Sequence, residues 1–148
     1  MRNIIIIFVI SILYPGICSG NSWDNLIKAI IKVESNGRSS SYSGDSVGVL
    51  QISSIMIEEV NDILGFERYS LKDRYDSLRS VEIFNIYQKH HNPALNHKRA
   101  CQLWNGGSVY FLDTIKVKNT EIYYNKVLNE LKKIEDGNSN STGSYKSN

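Results

Sequence analysis

At 148 residues the chain is long enough for one domain with a single buried core. Hydrophobic residues make up 41% and charged residues 22%, an ordinary globular balance, and the formal net charge is only +2. So mild a charge, with no basic stripe interleaved with aromatics, excludes nucleic acid as an expected partner.

The N-terminus carries a separate signal. Met1-Arg2-Asn3 is a short basic head, and Ile4 to Leu13 is an almost purely apolar run. Pro15-Gly16 breaks any helix, and Cys18-Ser19-Gly20 offers small residues for cleavage before Asn21. This order predicts a secretory signal peptide over residues 1–20, because the apolar run falls well short of the roughly twenty residues that span a bilayer. Export to a periplasmic or extracellular compartment is therefore expected. Lipid anchoring at Cys18 is the alternative, against which stands the bulky Ile17 before it.

Cleavage after Gly20 leaves Cys101 alone, so no intramolecular disulfide is expected. Its neighbours Ala100, Leu103 and Trp104 make it a buried small hydrophobe. His90, His91 and His97 straddle Asn92-Pro93 without zinc-ligand spacing, and no metal or organic cofactor is expected.

Along the mature chain, Trp23, Leu26, Ile27, Ile30 and Ile31 recur on one helical face, with Ser22 as N-cap and Asn36-Gly37 as stop. Ser39 to Asp45 reads as loop. Ser53 or Ser54 caps a second helix whose stripe is Met56, Val60, Ile63 and Leu64, ending at Gly65. A third runs from about Ser77 to His90 with Val81, Phe84 and Tyr87 inward. Pro93 suits the first turn of a fourth helix carrying Ala100, Cys101 and Trp104. The last starts near Thr120 and buries Tyr124, Val127, Leu128, Leu131 and Ile134. From Asp136 the chain turns to Gly, Asn, Ser and Thr, which predicts a disordered tail over residues 136–148. The expectation is a mainly α single domain over residues 21–135, of about five to seven helices with irregular loops.

One residue breaks the pattern. The face of the first helix continues to position 34, and the chain supplies Glu34 where a hydrophobe belongs. A carboxyl aimed at a core edge loses hydration, which raises its pKa and fits it to donate a proton. A solvated carboxylate at the rim of the stripe has the same spacing, so periodicity leaves both readings open.

Glu34-Ser35-Asn36-Gly37 is followed by Val47-Gly48-Val49-Leu50-Gln51-Ile52, later by Ala100-Cys101-Gln102-Leu103-Trp104-Asn105-Gly106-Gly107, and then by Tyr123-Tyr124-Asn125-Lys126-Val127. In this order the four segments resemble the catalytic domain of soluble lytic transglycosylases, of the lysozyme-like superfamily, over nearly the whole mature chain. The resemblance implies a lysozyme-like fold around a saccharide cleft. It makes Glu34 the catalytic acid/base and Ser35 a neighbour that orients substrate or carboxylate. Gln51 and Asn105 would line the cleft beside Trp104, Gly48 would allow close backbone approach, and the Tyr123 hydroxyl would bond near Glu34. Three positions depart from the family: Trp104 stands where Tyr is usual, Leu50 where Met is common, and Ser54 where Pro is frequent.

The implied activity is cleavage of the β-1,4 bond between N-acetylmuramic acid and N-acetylglucosamine in peptidoglycan, closing a 1,6-anhydro ring. Most glycosidases need two carboxyl groups, and no second one stands at a motif position. Glu58, Glu59 and Asp73 read as surface charges, while Asp45 would serve a goose-type hydrolase as water activator. A non-catalytic wall-binding module is the alternative from another class. The partner expected is the glycan strand, met by a monomer. A domain this small, with no wall-binding repeat, also suits service to a secretion or conjugation apparatus.

Overall fold

The computed structural model describes residues 19–143, so the leader predicted over residues 1–20, apart from Ser19 and Gly20, and the alternative anchor Cys18 lie outside the described residues. Five α-helices carry the fold: α1 (Ser19–Ser35), α2 (Ser54–Leu64), α3 (Ser77–His91), α4 (His97–Gly106) and α5 (Thr114–Gly143). Between α1 and α2 lies a two-stranded antiparallel ribbon, β1 (Tyr42–Ser43) and β2 (Ser46–Val47), with Tyr42 opposite Val47. Short 3-10 helices at Leu71–Tyr75 and Tyr110–Leu112 link the rest. The mainly α single domain expected from the sequence is what the chain forms. None of the described helices is long and apolar enough to cross a membrane.

The core follows the predicted faces. Leu26, Ile27 and Ile30 of α1, Val60 of α2, Phe84 and Tyr87 of α3, Cys101 of α4 and Val127 and Leu131 of α5 are buried together. Each large apolar side chain so buried contributes ~1.5–3 kcal/mol. Burial pushes the Cys101 thiol up to about 12, so it is a neutral packing group. α5 packs along both α1 and α4, and this contact brings the end of α1 against the middle of the last helix.

Helix ends show where local chemistry overrode the periodicity. Ser53 caps α2 through the Met56 amide (3.3 Å), and Gly65 closes it in the left-handed region (φ 77°) with its N–H on the Asn61 carbonyl. Pro93 does not open α4. The buried Asn92 side chain ties the turn by bonding Asn96 through both its amide (3.0 Å) and its carbonyl (3.1 Å). Asn96 then caps the helix at the Arg99 amide (2.9 Å). α1 already includes Ser19 and Gly20 of the predicted leader, so Ser22 is helical rather than a cap. At the other end α5 starts at Thr114, capped by the Asp113 carboxylate on Ile115 and Lys116 amides, and continues to Gly143. The tail predicted from Asp136 therefore starts as helix, since extending a packed helix costs far less than nucleating one.

Candidate active site

Glu34 stands in the last turn of α1, which stops at Ser35 because Asn36 and Gly37 both adopt left-handed backbone (φ 55° and 81°). The apolar face of α1 carries its side chain toward α5, where the Tyr123 hydroxyl donates to Oε1 at 2.7 Å. These residues are 89 positions apart, and only the α1–α5 packing joins them. Burial raises the Glu34 carboxyl above the usual carboxylate range, and the Tyr123 bond offsets part of that rise. The same environment lifts the Tyr123 phenol well above its ordinary value, chiefly through its own burial and then through the facing carboxylate. Tyr123 thus stays a neutral donor.

The other side of Glu34 opens on a depression of about 320 Å³, lined also by Ser43, Ser46, Gln51, Trp104 and Asn105. A second depression of about 310 Å³ shares Ser46, Gln51, Trp104 and Asn105 and extends past Ser53, Met56 and Glu59 to Gly106-Gly107. The two are lobes of one groove, within the size range of ligand sites. Glu34 is the one carboxylate among the described residues lining the first lobe. Glu59, in the second, is held by the His91 imidazole at 2.9 Å.

Each wall is locked from behind. Gln51 has left-handed backbone (φ 51°), a strained state for a residue with a Cβ. Its Nε2 donates to the carbonyls of Gly48 (2.9 Å) and Ser41 (3.2 Å). Two carbonyl partners fix the amide's orientation, so Oε1 is the atom turned away from them. Trp104 packs edge-on to Phe84 (4.9 Å between centroids) and donates its indole N–H to the Leu50 carbonyl at 3.2 Å. The ring is thereby a fixed apolar wall whose polar handle is already used. Asn105 is exposed at the junction of the two lobes.

Glu34, Gln51, Trp104 and Asn105 are therefore brought together as expected. The expectation for Ser35 needs correction, while Gly48 makes its close backbone approach and Tyr123 its bond to Glu34 away from the groove lining. Ser35 is buried, with its hydroxyl donating to the Val49 carbonyl (2.8 Å) and accepting from the Gly37 amide (3.2 Å). It splices α1 to the loop, its one donor is spent on backbone carbonyls, and it is not among the residues lining the groove. Gly48 also lies off the groove. Its close approach is to the Arg74 carbonyl, on which a Cβ would collide, and it serves the site by accepting from Gln51. Tyr123 is a positioning residue behind Glu34 rather than a contact of the groove.

Sequence reasoning missed Ser43 and Ser46, which the β1–β2 ribbon delivers to the first lobe. It also missed Arg74, which is buried and donates Nη1 to the Asp45 carbonyl (2.7 Å) and the Ile52 carbonyl (3.2 Å), bracing the loop from behind. Nothing in Leu71-Lys72-Asp73-Arg74-Tyr75 signals that burial; the alternating charges look like a solvated turn. Asp45 belongs to the same brace. Its Oδ2 accepts from the Ser54 amide (2.6 Å) and hydroxyl (2.7 Å), and Oδ1 pairs with Arg74 (3.3 Å). The Ser54 bonds, with Arg74 adding to them, hold the Asp45 carboxyl below the usual range.

The Tyr123–Glu34 bond yields a direct expectation. Because that bond favours the ionised carboxyl, Tyr123→Phe should raise the Glu34 pKa further. A carboxyl-carbon NMR titration of both proteins measures it; an unchanged or lower midpoint would mean that the hydroxyl does not govern this group. Compared with known proteins, the chain matches no family model, no curated protein and no solved structure.

Proposed function

We propose that the chain is an exported lytic transglycosylase acting on the glycan strands of peptidoglycan, with Glu34 as acid and then base. The observation that carries this reading is a carboxyl whose pKa burial raises, held by one phenol, in a groove lobe lined otherwise by amide, hydroxyl and indole groups. Such a lining suits a neutral, hydroxyl-rich ligand against an aromatic wall. It also suits proton donation more than charge pairing.

In the proposed reaction Glu34 gives its proton to the oxygen between N-acetylmuramic acid and N-acetylglucosamine, and the C1–O bond breaks. The substrate's acetamido group stabilises the developing cation at C1. Glu34, now ionised, takes the proton of the C6 hydroxyl, and O6 closes on C1 to form the 1,6-anhydro ring. One proton is given and one recovered, so no water is consumed and a single carboxyl suffices. In the ionised interval the Tyr123 hydroxyl stabilises the carboxylate it already touches.

Mass spectrometry of digested sacculi tests the proposal: anhydro-ended products are expected, and fully hydrated reducing ends would sink it. The hydrolase alternative asks Asp45 to activate water, yet both of its oxygens already serve the Ser54 and Arg74 brace. Asp45→Asn is accordingly expected to lower the melting temperature and to keep cleavage within about tenfold of the parent, the rest being loop disorder. A loss equal to that of Glu34→Gln would instead favour the two-carboxylate mechanism.

A further inference from the structure

Beyond the junction residue Asn105 lies a third depression, of about 350 Å³, lined by Asn105, Gly106, Lys116 and Asn119. It exists because of how α4 meets α5. Gly106 sits where any Cβ would strike the Tyr110 side chain and the Thr120 methyl, so only glycine lets the end of α4 come this close. That contact places Lys116 and Asn119, from the first turns of α5, beside the Asn105 amide. Lys98, also near α5, is neutralised by Glu121 at 2.7 Å. No such pairing engages Lys116 among the described residues. The Asp113 carboxylate, three residues earlier, is turned into the helix cap, where it accepts from the Ile115 and Lys116 backbone amides.

A lysine and two carboxamides lining one depression, one step from a groove lobe whose only charged group among the described residues is Glu34, are the chemistry that receives a carboxylate. Resting on the saccharide reading of the groove, we propose that this depression is a carboxylate subsite. It reads the acidic substituent of the glycan and sets its register over Glu34. A neutral N-acetylglucosamine polymer offers nothing to Lys116, whereas a muramyl strand offers either the carboxylates of a stem peptide or, once stripped, the lactyl carboxylate. Lys116 is then a specificity residue that raises affinity for the correct strand without touching the scissile bond.

Binding measured by calorimetry in the uncleaving Glu34→Gln background tests this with three soluble oligomers. They are peptidoglycan fragments bearing stem peptides, the same fragments after peptide removal by an amidase, and chito-oligosaccharides. Adding Lys116→Glu should weaken carboxylate-bearing oligomers about tenfold at low salt, less so at high salt, and leave chito-oligosaccharide affinity unchanged. Lys116→Arg should restore most of the loss. A glutamate in the first turn of a helix is favourable to its dipole, so the substitution preserves α5, and circular dichroism verifies it. A loss confined to peptide-bearing fragments assigns the subsite to the stem; a loss confined to stripped fragments assigns it to the lactyl carboxylate, and a loss in both means that it receives either. Equal affinities with Lys or Glu at position 116 overturn the subsite alone, while failure of all three oligomers to bind the Lys116 protein overturns the saccharide reading together with it.

Discussion

Replacing Glu34 with Gln is expected to reduce glycan cleavage by about a hundred- to ten-thousand-fold, the range of a lost general acid, while the folded protein at neutral pH stays at least as stable. Both halves come from one fact. Burial disfavours the ionised Glu34 carboxyl, so its folded pKa lies above its unfolded one. Between those two values the folded state binds more protons than the unfolded state, and stability falls as pH rises. Below the unfolded pKa the penalty is absent; above the folded pKa it is fully present. Gln keeps an oxygen for the Tyr123 hydroxyl and removes the ionisable proton, so that penalty disappears. Denaturation curves of parent and variant should converge toward acidic pH, with the variant equal or better near neutrality. Release of soluble fragments from sacculi reads the activity. A variant that is less stable at neutral pH, or one that still cleaves, would remove Glu34 from its proposed role.

Such an exchange of stability for reactivity also explains why this residue was legible. A carboxylate on an apolar stripe breaks a local rule, and broken rules concentrate where function requires them. The α1 stripe leads straight to Glu34, and the faces of α2, α3 and α5 gave Val60, Phe84, Tyr87, Val127 and Leu131 of the core for the same periodic reason, though not Ile57, Ile83 or Tyr123. What periodicity cannot carry is the pairing of distant side chains. Nothing local in Tyr123 distinguishes a phenol that meets Glu34 from Tyr124, its half-buried neighbour. Nor does Ser35 differ, as letters, between a hydroxyl that meets substrate and one consumed by the Val49 carbonyl. Arg74 is the strongest case. A buried guanidinium is stable only because three backbone carbonyls and Asp45 converge on it, and those come from Leu71, Asp45 and Ile52. Convergence of that kind is a property of the closed loop, visible only once the loop is closed.

Gly48→Ala is expected to destabilise the protein by more than about 3 kcal/mol, from left-handed strain of ~1–3 kcal/mol together with overpacking of similar size. Gly48 has φ 81°, and an added Cβ would land on the Arg74 carbonyl oxygen, a backbone atom with little room to yield. Arg74 cannot retreat cheaply either, because the Ser80 hydroxyl donates to that same carbonyl at 3.1 Å and the guanidinium is tied to Asp45 and Ile52. Gly44→Ala is the matched control. Gly44 also has positive φ (61°), but a Cβ there meets nothing within 4 Å, so only the strain of ~1–2 kcal/mol should appear. Urea unfolding of the two variants separates conformational strain from collision. The displaced Gly48 carbonyl would also release the Gln51 amide, so whatever Gly48→Ala protein remains folded should bind oligosaccharide more weakly than the Gly44→Ala control. Equal destabilisation by the two substitutions would mean that the loop yields freely, and that Gln51 is held by something other than the packing of Gly48 on Arg74.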